Sequence, residues 1–225
     1  MPDEIDRGVI RDISANTVSR YSARFARLGY DVKSLGWGSV EQQRYRFEQT
    51  LAYPELFSGR SVLDIGCGFG DYLDYLDERA FSYREYLGLD INPDLIAEAE
   101  KRHAGSANAR FEVRNLVGED GAQKPVADVG VMLGLLNFKL GGGVDNLAYS
   151  RMMMERAYAL VGEVLVVDFL SARLTSSYPR EDFVYYHDPA DALKMALDIA
   201  DEVVLKHDYQ PIPQREFMIF LTKSK

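Results

Sequence analysis

The stretch Ser61-Val62-Leu63-Asp64-Ile65-Gly66-Cys67-Gly68-Phe69-Gly70-Asp71 decides the fold. Its first five residues form a short apolar run, the pattern of a buried strand. Glycines then occupy every second position from 66 to 70, and an acidic helix is expected from Asp71 to Arg79. Glycine lets the backbone turn tightly and approach a ligand closely, because no Cβ stands in the way. The strand before the turn and the helix after it give the glycines a structural meaning that a lone G-x-G lacks. Asp90 ends the next expected strand, Glu85-Tyr86-Leu87-Gly88-Leu89-Asp90, 20 residues beyond Gly70. A carboxylate in that position can accept both hydroxyls of an adenosine ribose. The pattern therefore predicts a nucleoside cofactor.

Position 71 narrows the choice of nucleoside. A dinucleotide favours a third glycine there, and this chain has Asp71. An anionic side chain at a helix N-terminus competes with a pyrophosphate for the positive end of the dipole. The turn lacks the G-K-[ST] ending of a phosphate-binding loop. S-adenosylmethionine (SAM) carries no phosphate, and its sulfur and ammonium are cationic. An acidic rim of Asp64 and Asp71 suits that ligand.

Outward from the turn, the chain alternates. Residues 9–28 place Val18, Tyr21, Phe25 and Leu28 at helical spacing, and Gly29 is a stop signal. After the loop Gly36-Trp37-Gly38, Ser39 and Gln42 read as a capping box. The helix they open is expected to run to about Phe57, with Pro54 bending or ending it. Beyond residue 90, a helix from Pro93 to about His103 is expected. Strands follow at Ala109 to Asn115 and Asp128 to Leu135, then a helix over 145–160 and a strand from Glu163 to Phe169. A helix from Ala190 to Ala200 precedes strands at Val203 to His207 and Glu216 to Lys223. The last two are separated by a link too short for a crossover helix, so they should pair antiparallel. The expected architecture is an α/β three-layer sandwich, with a mostly parallel seven-stranded sheet and a terminal antiparallel hairpin. Residues 1–58 are expected to form an N-terminal helical lid, and residues 59–225 one globular domain.

Composition sets outer bounds. The chain has 225 residues, 47% apolar and 27% charged, ordinary for a globular protein. Its net charge of −9 and the lack of any Lys/Arg block argue against a nucleic-acid partner. No apolar run approaches the roughly 20 residues of a membrane span. The acidic start of the chain does not read as a signal peptide, and the single cysteine, Cys67, allows no internal disulfide. These features predict a cytoplasmic protein without membrane attachment, monomeric or homodimeric. Three scattered histidines and one cysteine show no metal-ligand spacing.

Val62-Leu63-Asp64-Ile65-Gly66-Cys67-Gly68-Phe69-Gly70 resembles the first motif of the class I SAM-dependent methyltransferases, and Leu87-Gly88-Leu89-Asp90-Ile91-Asn92-Pro93 resembles their second. With the terminal strand pair, the likeness covers about residues 40–225 and implies a Rossmann-like fold. It implies roles as well. The Gly66 carbonyl would take the SAM ammonium, with Asp64 and Cys67 in the same motif. Gly68 would pass close to the ligand. Asp90 would hold the ribose, and Ile91 would pack on adenine. Asn115, beside Leu116, stands where the family often has an Asp near the adenine amino group. Gly134, in Leu133-Gly134-Leu135-Leu136-Asn137, would lie near the methyl group. The lid helix with Gln43-Arg44-Tyr45-Arg46-Phe47 is similar to that of some bacterial members, and Arg46 would bond the SAM carboxylate. The Asn-Pro-Pro-Tyr motif of amino-methylating members is absent, which points to a small-molecule acceptor.

Methyl transfer from a sulfonium is a direct displacement, so alignment and exclusion of water matter most. No catalytic residue follows from the fold. His187, Tyr185 and Tyr186, in Asp182-Phe183-Val184-Tyr185-Tyr186-His187-Asp188, are the candidates for shaping an acceptor pocket, His187 as a base. The alternative is that the tyrosines pack a loop and His187 is solvated. Two other functions compete with a small-molecule methyltransferase: a protein methyltransferase and a non-catalytic SAM-binding module. A transferase using decarboxylated SAM is a further option.

Overall fold

The computed structural model describes residues 5–118, 124–141 and 143–224. Its strands are β1 (Ser61–Ile65), β2 (Glu85–Asp90), β3 (Ala109–Val113), β4 (Ala127–Met132), β5 (Val161–Leu170), β6 (Glu202–Lys206) and β7 (Glu216–Thr222). Its helices are α1 (Arg7–Leu28), α2 (Val40–Thr50), α3 (Asp71–Glu78), α4 (Pro93–Arg102), α5 (Asn146–Ala159) and α6 (Pro189–Ile199). The strands form one sheet in the order β3-β2-β1-β4-β5-β7-β6. β1 to β5 pair in parallel, and β7 runs antiparallel to both β5 and β6. The expected α/β sheet, with its terminal antiparallel pair, is therefore the observed one.

Strand side chains alternate between two cores. Leu63 and Ile65 of β1 join Leu165 and Val167 of β5 in one core, which also holds Met154 and Ala157 of α5. Val62, Val164 and Val166 face the other way, onto Tyr72 and Leu76 of α3. Burial on both faces is why these strands read as unbroken apolar runs. Ile10 of α1 belongs to the first core, and Phe47 of α2 to the second. α1 packs against α4, and α2 against α3.

Caps fix where helices begin. Ser39 accepts a hydrogen bond from the Gln42 N–H, as the capping box predicts. Asn92, Asp145 and Asp188 cap α4, α5 and α6, each contributing about 1 kcal/mol. The structure shortens three expected elements. α2 stops at Thr50 rather than near Phe57, and Pro54 instead opens a short 3-10 turn, Pro54–Leu56. Proline lacks the N–H a helix needs and pushes the residue before it out of the helical region. β3 ends at Val113 because the Asn115 side chain accepts from the Val117 N–H and turns the chain. β4 ends at Met132. Gly134 follows at φ +74° and gives its N–H to Asp168 instead of a neighbouring strand.

The strand order reverses between β1 and β4, since β1 lies between β2 and β4. Ligands of open α/β sheets bind beyond the carboxyl ends of the strands at such a point. No helix among the described residues is long and apolar enough to cross a membrane.

Candidate functional site

β1 feeds directly into the glycine turn. Gly66, Gly68 and Gly70 have φ of +78°, +54° and +81°, conformations strained for any residue with a Cβ. The N–H groups of Gly66 and Cys67 both donate to the Leu89 carbonyl, at 2.7 and 3.0 Å, and tie the turn to β2. Asp90 continues that tie: its Oδ2 accepts from the Gly68 N–H at 3.1 Å, and its Oδ1 from the Asn92 N–H at 2.8 Å. No cation pairs with Asp90 among the described residues, and burial raises its pKa. A carboxylate has about four acceptor positions. These backbone bonds do not exhaust it, so acceptor capacity remains toward the cavity.

Asp90 borders a cavity with two adjoining lobes, whose shared walls include Thr17, Tyr21, Gly66, Ile91 and Leu135. The smaller lobe, about 190 Å³, runs between Ser14 of α1 and the strand-end residues Ile91, Asn115, Leu116 and Leu136. Its walls are mostly apolar, suited to a purine. The larger lobe, about 450 Å³, passes Gly68, Trp37 and Gly134 to reach Tyr178, Glu181 and Phe183. A half-buried carboxylate with no cation partner among the described residues, a turn with three left-handed glycines and a slot beside them fit an aminoacyl nucleoside.

Eight of the residues singled out from sequence lie on these walls: Arg46, Gly66, Gly68, Asp90, Ile91, Asn115, Leu116 and Gly134. Asp64 and Cys67 do not. Asp64 lies inside the sheet, where it accepts a hydrogen bond from the Tyr86 hydroxyl, and burial pushes its pKa up to about 7. Cys67 points back onto β2, close enough that a Cβ on Gly88 would stand 2.9 Å from its Sγ. Burial raises the thiol well above its ordinary pKa. The expected acidic rim is also absent at Asp71, whose two oxygens accept from Tyr30 and from Gln43, each at 2.9 Å.

Arg46 reaches the wall already paired. Its Nε and Nη2 both donate to Glu216 of β7, and Nε lies 3.6 Å from Asp168 Oδ2 at the end of β5. The guanidinium stacks over the Trp37 ring, 4.5 Å from its centre. Burial works against both carboxylates, raising Asp168 and pushing Glu216 up to about 7 despite Arg46. A second guanidinium has the opposite situation. Arg24 lines the larger lobe, and its Nη1 is buried with no hydrogen-bond partner.

The sequence candidates for the acceptor end lie behind the wall. His187 is 1% exposed. Its Nε2 is 2.9 Å from the Ser150 hydroxyl, and burial lowers its pKa to about 4. The Tyr185 ring packs edge-on against it, and the buried Tyr186 hydroxyl accepts from the Glu181 N–H at 3.2 Å. None of the three lines either lobe, which corrects their expected role: they support the loop that carries Tyr178, Glu181 and Phe183. Gln214, from the segment before β7, donates to Glu181 Oε2 at 3.2 Å on the same wall.

Sequence reading placed α1 in the expected lid but did not single out its polar lining residues. Its apolar stripe was evident, but Ser14, Thr17, Tyr21 and Arg24 also recur at helical spacing, and all four line the cavity. A mixed polar stripe on a helix ahead of a glycine turn is the signal that marks them. Asp168 and Glu216 likewise stand out in sequence as acids set in apolar strands.

Comparison with known proteins agrees with this geometry. A family model described as a methyltransferase domain matches residues 63–160. A Mycobacterium tuberculosis protein named as a methyltransferase, Rv1506c, is 30% identical over 166 residues, covering 73% of this chain and 93% of that protein. Magnesium protoporphyrin IX methyltransferase from Synechocystis, solved with bound SAM, matches over 100% of both chains with a TM-score of 0.65 and 16% identity. Phosphoethanolamine N-methyltransferase 1 of Haemonchus contortus, solved with phosphoethanolamine and S-adenosylhomocysteine, matches 98% of this chain and 50% of its own, with a TM-score of 0.64 and 14% identity. At these identities the two structures attest a shared fold.

Proposed function

Because this chain belongs to the class I SAM-dependent methyltransferases, we propose that it transfers the SAM methyl group to a small molecule held between Tyr178, Glu181, Phe183 and Gln214. The observation that carries this reading is the continuity of the larger lobe. It runs from Asp90 and Gly66, through Gly134, to those side chains without leaving the cavity wall. A lobe of about 450 Å³ is of the size that small ligands occupy.

When bound, SAM supplies a methyl group on a cationic sulfur, and the leaving group needs no further activation. The protein's contribution is placement. Asp90 accepts the ribose hydroxyls with the acceptor capacity its backbone bonds leave. Ile91 and Leu116 flank adenine. Asn115 sits at the end of that slot, where its amide is already directed to Ser14 and Val117. Its role is therefore to shape the slot. The Gly66 carbonyl takes the ammonium. Residues 1–58 act as the lid: α1 forms one side of both lobes, and its closure keeps water from the methyl group. For a nucleophile that must lose a proton, Glu181 is the base, oriented by Gln214.

Transfer of radiolabelled methyl from SAM into a cell extract, separated into small-molecule and protein fractions, tests the proposal. Label is expected in the small-molecule fraction. Label confined to protein would establish a protein methyltransferase, and absence of any transfer by protein that binds SAM would leave a binding module.

A further inference from the structure

We infer that Arg24 holds the carboxylate of SAM, and that this contact makes the protein select SAM over its decarboxylated form. The inference rests on the cofactor and is independent of the acceptor.

Two guanidinium groups border the larger lobe, Arg24 and Arg46. Their surroundings assign them different work. Arg46 has two carboxylates, Glu216 and Asp168, for one positive charge. An anionic ligand there would have to displace a buried bidentate partner and then lie beside a second carboxylate. Arg24 has no carboxylate partner among the described residues, and its buried Nη1 has no acceptor at all. A buried donor left unmatched is costly. Guanidinium also pairs with carboxylate through parallel bonds that few other donors can offer. An unmatched guanidinium on a cavity wall is thus a site for an anion.

The backbone places that site at the aminoacyl end of the cofactor. Leu35 and Gly36 are consecutive. Leu35 lies over the glycine turn, so close that a Cβ on Gly68 would stand 2.8 Å from its side chain. Gly36, at φ +87°, lies against Arg24, where a Cβ would stand 2.9 Å from Nη1. One dipeptide therefore bridges the guanidinium and the second glycine of the turn. The same Gly68 donates its N–H to Asp90. A nucleoside whose ribose sits on Asp90 must send its aminoacyl chain past Gly68, toward Gly36 and Arg24. The loop Gly36-Trp37-Gly38 thereby acquires a physical reason: Gly36 makes room for Arg24, and Trp37 covers the paired Arg46.

Binding calorimetry with three ligands tests this: SAM, decarboxylated SAM and methylthioadenosine, which has the nucleoside and sulfur without the aminoacyl end. The unaltered protein should bind SAM about 30-fold more tightly than decarboxylated SAM, the size expected for a charge-assisted bond. Arg24→Met should bring the two within about threefold while leaving methylthioadenosine unchanged, and Arg24→Lys should retain part of the preference. Arg46→Met should keep the SAM preference at whatever temperature it remains folded. The inference is overturned if folded Arg24→Met keeps the full preference, if it weakens methylthioadenosine equally, or if Arg46→Met is the variant that loses the preference. Failure of the unaltered protein to bind any of the three would instead strike the cofactor assignment itself.

Discussion

The two ends of the cavity are built from different material. At the cofactor end, the contacts are made by backbone and by strand termini: three left-handed glycines, two N–H groups on the Leu89 carbonyl, and Asp90 clamped by two more. At the proposed acceptor end, Tyr178, Glu181, Phe183 and Gln214 are side chains on the segments between β5 and α6 and between β6 and β7. Phe183 is 60% exposed. The first end is fixed by the sheet, so it can hold one cofactor closely. The second is fixed only by loop packing, so its side chains can change without disturbing the sheet. A fold divided in this way keeps its methyl donor while its acceptor varies.

The contrast is sharpest at the groups that join the ends. Arg46, Glu216 and Asp168 link α2, β7 and β5, and Asp168 in turn holds the Gly134 N–H at 2.6 Å. Arg46→Met leaves two buried carboxylates without their cation and should cost about 3–5 kcal/mol of stability, read as a fall in thermal unfolding temperature. A variant as stable as the parent would show that the two ends are not coupled through this cluster. Asp90→Ala should weaken SAM binding by about 3 kcal/mol, roughly 100-fold, in calorimetric titration of a folded variant. Unchanged affinity would remove the ribose contact from the cofactor end. Phe183→Ala should leave SAM affinity within about twofold and lower methyl transfer about tenfold, the worth of a partly exposed aromatic contact. Equal loss of both would break the division between the ends.

A further effect, separate from binding, concerns Asp64, beneath the turn. Its folded pKa is raised from 3.8 to about 7 by burial. The folded state therefore keeps a proton that the unfolded chain gives up. Asp64's contribution to stability is complete below about pH 4 and is lost as pH rises through about 7. Thermal unfolding between about pH 5 and pH 8 should show a fall in the parent that Asp64→Asn reduces. Parallel curves would mean that Asp64 is ionised in the fold.

The sequence disclosed the cofactor end well and the acceptor end poorly, and the difference has a cause. Gly66, Gly68 and Asp90 act through conformation and strand position, which spacing records directly. Apolar runs gave the strands to within a few residues; β3 and β4 fall short where side chains of Asn115 and Asp168 captured backbone groups, and β5 begins two residues earlier than expected, at Val161. His187 was attractive as a titratable group on a loop beyond β5. Nothing in its neighbours showed that Ser150 and Phe169 would enclose it. Arg46 and Arg24 are equally basic on the page. Only the approach of Glu216, 170 residues along the chain from Arg46, separates the paired cation from the unpaired one.

That distance has a consequence for biosynthesis. β7 lies between β5 and β6, so β6 leaves the ribosome with no strand yet in place to receive it. Arg46 emerges early and must wait for nearly the whole chain before Glu216 can neutralise it. The nascent glycine turn can form with β1 and β2, but the wall bearing Arg46 matures only when β7 slides home.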